Sequence, residues 1–139
     1  GVATGGIALA ALVAQELNLP LCYVRAKAKG HGLTNTIEGE INEGNNVVVL
    51  EDLISTGGSS LNAVKSLRDA DCNVMGMVAI FSYGFKMAEE NFKNNSYALH
   101  TLSDYNTLIE EAEKMNYISN NDVKSLKEWR TSPNTWKKC

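Results

Sequence analysis

Glu51 and Asp52 separate an apolar run, Val47-Val48-Val49-Leu50, from a run of hydroxyls and glycines, Ser55-Thr56-Gly57-Gly58-Ser59-Ser60, with Leu53 and Ile54 as a short step between them. Carboxylates are acceptor-only groups that suit the vicinal hydroxyls of a sugar. Backbone N–H groups, small hydroxyls and the positive end of a helix dipole suit a phosphate. A strand that delivers acids and then a Ser/Thr/Gly turn at the start of a helix can therefore hold a sugar phosphate from both ends. The glycines let the backbone come close to such a ligand. The same order of residues also describes a plain turn followed by a serine helix cap, and on physics alone both readings stand.

A second group lies upstream. Arg25-Ala26-Lys27-Ala28-Lys29-Gly30-His31-Gly32 places four potential cations in seven positions. Taken by itself, such a run reads as a solvated, mobile loop.

These groups need elements to position them. Val47 to Leu50 is apolar and mostly β-branched, as expected of a parallel strand covered on both faces, and the acids are expected to stop it. Ser59 to Ala70 reads as an amphipathic helix with Leu61, Val64, Leu67 and Ala70 inward. Upstream, Ile7 to Leu17 has the length and Ala/Leu content of a largely buried helix, ended by Asn18 and Pro20. Leu21 to Val24 is a short strand. Thr36 to Ile41, a turn at Asn42-Glu43-Gly44 and the strand from Asn46 are expected to form a hairpin.

Downstream, Val74 to Phe81 is a second apolar strand, followed by Ser82-Tyr83-Gly84-Phe85. Lys86 to Lys93 is a helix, Tyr97 to Leu102 a strand, and Ser103-Asp104 caps a helix over Tyr105 to Met115. A last helix runs from about Asn121 to Arg130, with Trp129 and Trp136 as packing anchors. Strand and helix alternate, which predicts an α/β fold with a mostly parallel central sheet flanked by helices.

The 139 residues allow one domain with a real core, and 44% apolar with 21% charged residues is ordinary globular composition. A net charge of −3 argues against general attraction to nucleic acid or membranes. The three cysteines, Cys22, Cys72 and Cys139, show no metal-binding spacing and read as reduced thiols of a cytoplasmic protein. Neither a metal cluster, an internal repeat nor an apolar run of membrane-spanning length is visible. Gly1-Val2-Ala3-Thr4-Gly5-Gly6 reads as the tail of a strand and a turn, so the chain is expected to be a single domain over 1–139 that is incomplete at its N-terminus.

The run Val47 to Ser59 resembles the phosphoribosyl pyrophosphate (PRPP) signature of the type I phosphoribosyltransferases, and EDLISTGGSS is the form found in orotate phosphoribosyltransferases. The resemblance extends from Gly1 to about Ile118. It implies that Glu51 and Asp52 bind the ribose hydroxyls and that the loop wraps the 5′-phosphate. The implied PRPP-binding set is Arg25, Lys29, His31, Glu51, Asp52, Leu53, Ile54, Ser55, Thr56, Gly57, Gly58 and Ser59, with Ser60 closing the loop. Ser55 falls where the family touches the orotate ring. Arg25, Lys29, His31 and Gly32 match the family's catalytic loop, whereas Ala26 stands where a lysine is usual and Lys27 follows one position later. Lys29, His31 and Asp52 are thereby the implied catalytic residues.

Ala3 to Gly6 falls on the family's pyrophosphate loop, where Gly5 replaces the lysine of some members and leaves backbone contacts alone. The arginine that many orotate enzymes carry near 82–85 is missing from that stretch, where Tyr83 and Phe85 either wall a base pocket or pack. The resemblance further implies transfer of phosphoribose from PRPP to orotate, Mg²⁺ carried mainly by PRPP, and a homodimer with loop 25–32 reaching the neighbouring active site. Two other readings remain: a phosphoribosyltransferase for another base, against which the loop form argues, and a regulatory protein that binds PRPP without catalysis.

Overall fold

Parallel pairing of apolar strands organises the chain. The computed structural model describes residues 1–26 and 36–136. Its elements, in chain order, are α1 (Gly5–Leu17), β1 (Cys22–Val24), β2 (Ile37–Gly39), β3 (Asn46–Ile54), α2 (Gly58–Asp69), β4 (Asn73–Ser82), α3 (Lys86–Asn94), β5 (Leu99–Asp104), α4 (Tyr105–Lys114) and α5 (Asn120–Thr131). Strands β3, β4 and β5 form a parallel sheet in that order, the arrangement that intervening helices require of a crossover connection. Strands β1 and β2 pair antiparallel, with Tyr23 opposite Glu38.

Residues Gly1 to Ala3 tie the two sheets together. Val2 N–H donates to Leu50 O at 3.0 Å on one side, while Ala3 N–H donates to Val24 O and Val24 N–H to Gly1 O, both at 2.8 Å, on the other. The short extended segment thus bridges β3 to β1, and Val2 is buried.

Three expectations are corrected. The acids do not stop β3: pairing with β4 continues through Glu51 opposite Ala79 to Ile54 opposite Ser82. Burial of Ile54 in the core makes this extension favourable. The hairpin expected between Thr36–Ile41 and the strand from Asn46 does not form, because β2 pairs with β1 instead. The third concerns α1, which is not largely buried. Only Gly6 and Ala10 are, with Leu12 68% and Leu17 61% exposed, since the helix meets β3 through a narrow stripe of small residues.

The remaining elements follow the expected pattern with shifted ends. In α2, Val64 and Leu67 are fully buried against β4, and Leu61 and Ala70 pack at the margin. Asp104 caps α4, its side chain accepting from Asn106 N–H and Thr107 N–H, and Ser119 and Asp122 form a capping box on α5. A second cluster joins α4 and α5 through Tyr105, Ile109 and Val123, with Trp129 packed against them. Cys22 and Cys72 are free thiols. Among the described residues, no helix is long and apolar enough to cross a membrane.

Candidate active site

Two helix N-termini converge where β3 ends. Gly5, the first residue of α1, lies against the Asp52 carboxylate. Gly57 caps α2 with φ of +80° and supplies no side-chain hydrogen bond to the first turn. The serine cap that the sequence suggests is therefore replaced by a glycine in the left-handed region, and the first amides of α2 keep no capping hydroxyl. Ser55, Thr56, Gly58 and Ser59 are exposed around this turn, as is Asp52 near the end of β3.

The two acids have different surroundings. Asp52 is open, with one oxygen accepting from Leu53 N–H at 2.8 Å. Glu51 is 4% exposed, and Ser60, itself 1% exposed, donates its hydroxyl to Glu51 Oε2 at 3.0 Å. Asp52 N–H donates to the other oxygen at 3.2 Å. Burial, followed by the neighbouring Asp52 side chain, pushes the Glu51 carboxyl up to about 7.

The rest of the loop is braced from α3. Asn91 Nδ2 donates to Thr56 O at 3.0 Å, and the Phe92 ring packs on Gly57. Neither residue was singled out from sequence, since each acts from a helix more than thirty positions away and on the loop's backbone. Ile54 turns its side chain into the core, and its carbonyl accepts from Tyr83 N–H at 3.0 Å. Leu53 lines a cavity of about 520 Å³ with Phe81, Tyr83, Tyr105 and Trp129.

The turn after β4 is held by an arginine the sequence reading missed. Arg130, on α5, donates through Nε to Tyr83 O at 3.0 Å and through Nη2 to Gly84 O at 2.7 Å. Tyr83 stacks on Phe85 with centroids 5.4 Å apart and meets Trp129 edge-on at 5.5 Å, so both aromatics are packing groups in this arrangement. Arg25 pairs with Glu38 across the β1–β2 hairpin at 3.2 Å. Lys27, Lys29, His31 and Gly32 lie outside the described residues. Among the described residues no group of three or more His, Cys, Asp or Glu side chains could hold a metal.

A parallel sheet whose first long strand carries an exposed carboxylate two residues before its end and leads into a glycine-capped helix N-terminus defines an α/β domain with a loop whose free amides suit an anion. Residues 1–116 match the phosphoribosyl transferase domain family, and the chain belongs to that family. It is 53% identical over 138 residues to the orotate phosphoribosyltransferase of Cytophaga hutchinsonii, covering 99% of this chain and 66% of that protein. It is 55% identical to the orotate phosphoribosyltransferase of Staphylococcus saprophyticus, covering 94% and 64%. The chain thus spans about two thirds of the length of these relatives. In structure it is similar to the orotate phosphoribosyltransferase of Aeropyrum pernix, with a TM-score of 0.73 and 33% identity, over 86% of this chain and 64% of that one. The UMP synthase of Leishmania donovani aligns with a TM-score of 0.77 and 27% identity, over 94% of this chain and 28% of that one.

Proposed function

We propose that the chain carries the catalytic core of an orotate phosphoribosyltransferase, which transfers phosphoribose from PRPP to a ring nitrogen of orotate and yields orotidine 5′-phosphate and pyrophosphate. The observation that carries this reading is the open Asp52 carboxylate near the end of β3, followed within five residues by the α2 N-terminus, which Gly57 caps without a side chain. The relatives named as orotate phosphoribosyltransferases at 53 and 55% identity support the choice of base.

The C1–pyrophosphate bond breaks as the nitrogen–C1 bond forms, and positive charge develops on the ribose. Catalysis of this kind rests on positioning and on stabilising separated charge, so no side-chain nucleophile is needed. Glu51 and Asp52 orient the ribose diol, and the amides and hydroxyls from Thr56 to Ser60 receive the 5′-phosphate. Ser55 meets the base. Lys29 and His31, supported by Arg25, neutralise the departing pyrophosphate.

The open Asp52 carboxylate offers an oxygen to a magnesium ion carried mainly by the oxygens of PRPP, because Mg²⁺ prefers oxygen ligands and keeps several waters. When bound, it supplies charge neutralisation on the pyrophosphate. The reading also entails a cytoplasmic homodimer whose 25–32 segment reaches the neighbouring site.

Calorimetric titration with PRPP and Mg²⁺, followed by orotate, hypoxanthine and adenine on the loaded protein, tests it. Saturable PRPP binding with turnover of orotate alone is expected. Turnover of a purine instead would overturn the choice of base, and no PRPP binding would overturn the whole reading.

A further inference from the structure

The loop between β3 and α2 takes part of its shape from α3, a helix distant in sequence. Phe92 of α3 is buried in the core, and its ring packs on Gly57. Asn91, the residue before it, donates through Nδ2 to Thr56 O at 3.0 Å across a separation of 35 positions. One core-anchored helix thus holds two adjacent points of the loop, the Thr56 carbonyl and the backbone of Gly57.

The first of these points governs the amide that follows it. Thr56 and Gly57 are joined by a trans peptide, in whose plane the C=O and the N–H point in opposite directions. With its carbonyl drawn to α3, this unit turns the Gly57 N–H away from α3, in a stretch where the flanking Thr56, Gly58 and Ser59 are exposed. Glycine also permits the opposite orientation of the plane, which would set a carbonyl oxygen toward an anion in place of a donor. The Asn91 hydrogen bond selects between the two.

We propose that Asn91 is a positioning residue for the 5′-phosphate: by fixing the Thr56 carbonyl, it keeps the Gly57 N–H turned toward that phosphate. This deepens the PRPP reading above and rests on it. The donor is a neutral amide, so the role depends on hydrogen-bonding shape and not on charge. A glutamine keeps that donor on a longer stem, whereas a leucine keeps the bulk and loses the donor.

Calorimetric titration of wild type, Asn91→Leu and Asn91→Gln with PRPP and with ribose 5-phosphate tests the role, together with NMR of the Gly57 amide. In wild type, ribose 5-phosphate is expected to shift the Gly57 amide resonance. Asn91→Leu should bind both ligands about three- to tenfold more weakly, the worth of one neutral hydrogen bond. The two losses should be equal, because the ligands share the phosphoribosyl end alone. Asn91→Gln should bind both more tightly than Asn91→Leu, a recovery that a bare packing role would not give. Unchanged ribose 5-phosphate affinity in Asn91→Leu, a loss confined to PRPP, or no recovery in Asn91→Gln would overturn the proposal. So would a wild-type Gly57 amide that saturating ribose 5-phosphate leaves unmoved, a test that stands even where a variant fails to fold. A wild-type chain that binds neither ligand would instead overturn the reading beneath, and the proposal with it.

Discussion

The ring of Phe92 lies so close to Gly57 that a Cβ on the glycine would stand 2.8 Å from ring atom Cε2. Position 57 also has φ of +80°, which L side chains adopt only with strain. Gly57→Ala is therefore expected to cost roughly 1–3 kcal/mol of stability, from strain and the displaced ring together. Urea unfolding of Gly57→Ala, Phe92→Leu and the double variant separates the two. The alanine should cost less in the leucine background, and equal costs would show that the ring is not the obstacle.

Gly5 and Gly6 are adjacent but face different neighbours. A Cβ on Gly6 would sit 2.7 Å from the backbone oxygen of Leu50, which cannot move without disturbing β3, whereas one on Gly5 would meet the Asp52 carboxylate, which can rotate away. Gly6→Ala should thus lower stability by about 1–3 kcal/mol, as overpacking against a fixed group does. Gly5→Ala should fold nearly as well and lose PRPP affinity, because it displaces the acid that faces the sugar. Thermal melts and PRPP titration of the two variants check this, and the reverse pattern would contradict the assignment of Asp52.

Burial raises the Glu51 carboxyl to about 7, so the folded chain holds a proton there that the unfolded chain releases at an ordinary carboxylate pKa. Between those two values the folded state binds more protons, and stability must fall as pH rises. The contribution is complete below about pH 4.3 and is lost as pH climbs through 7, amounting to at most about 4 kcal/mol. Glu51→Gln removes this titration. The stability of wild type relative to Glu51→Gln, measured by urea unfolding at pH 5.5 and pH 8.5, should decline across that range, and a constant difference would mean that Glu51 is ionised throughout.

Most of the frame was legible because apolar runs and caps are local signals. Val47 to Leu50 and Val74 to Phe81 read as parallel strands, and Asp104 marks a helix start by its own side chain. What escaped was decided by distant partners. Whether Glu51 and Asp52 end a strand depends on the pairing opposite Ala79, and whether Leu12 is buried depends on what covers α1. The site shows the same split. The acids and the loop lie in one stretch of sequence, but Asn91, Phe92 and Arg130 reach it from α3 and α5, where nothing in their own neighbourhoods marks them.

Arg130 is the clearest of these. Its guanidinium spans the carbonyls of Tyr83 and Gly84, next to the β4 end that pairs with Ile54 and so beside Ser55. A planar fork can satisfy two adjacent acceptors at once, whereas a lysine ammonium on a flexible stem holds one. Arg130→Ala should therefore cost about 1.5–3 kcal/mol, the range for hydrogen bonds to a charged donor, and Arg130→Lys a smaller part of it. Because the turn flanks Ser55 and not Asp52, PRPP affinity should stay near wild type in Arg130→Lys while orotate affinity on the PRPP-loaded protein falls. Paired titrations with PRPP and orotate read the two effects separately. Equal loss of both ligands would show that Arg130 supports the whole strand end, and no loss of either would confine it to stability.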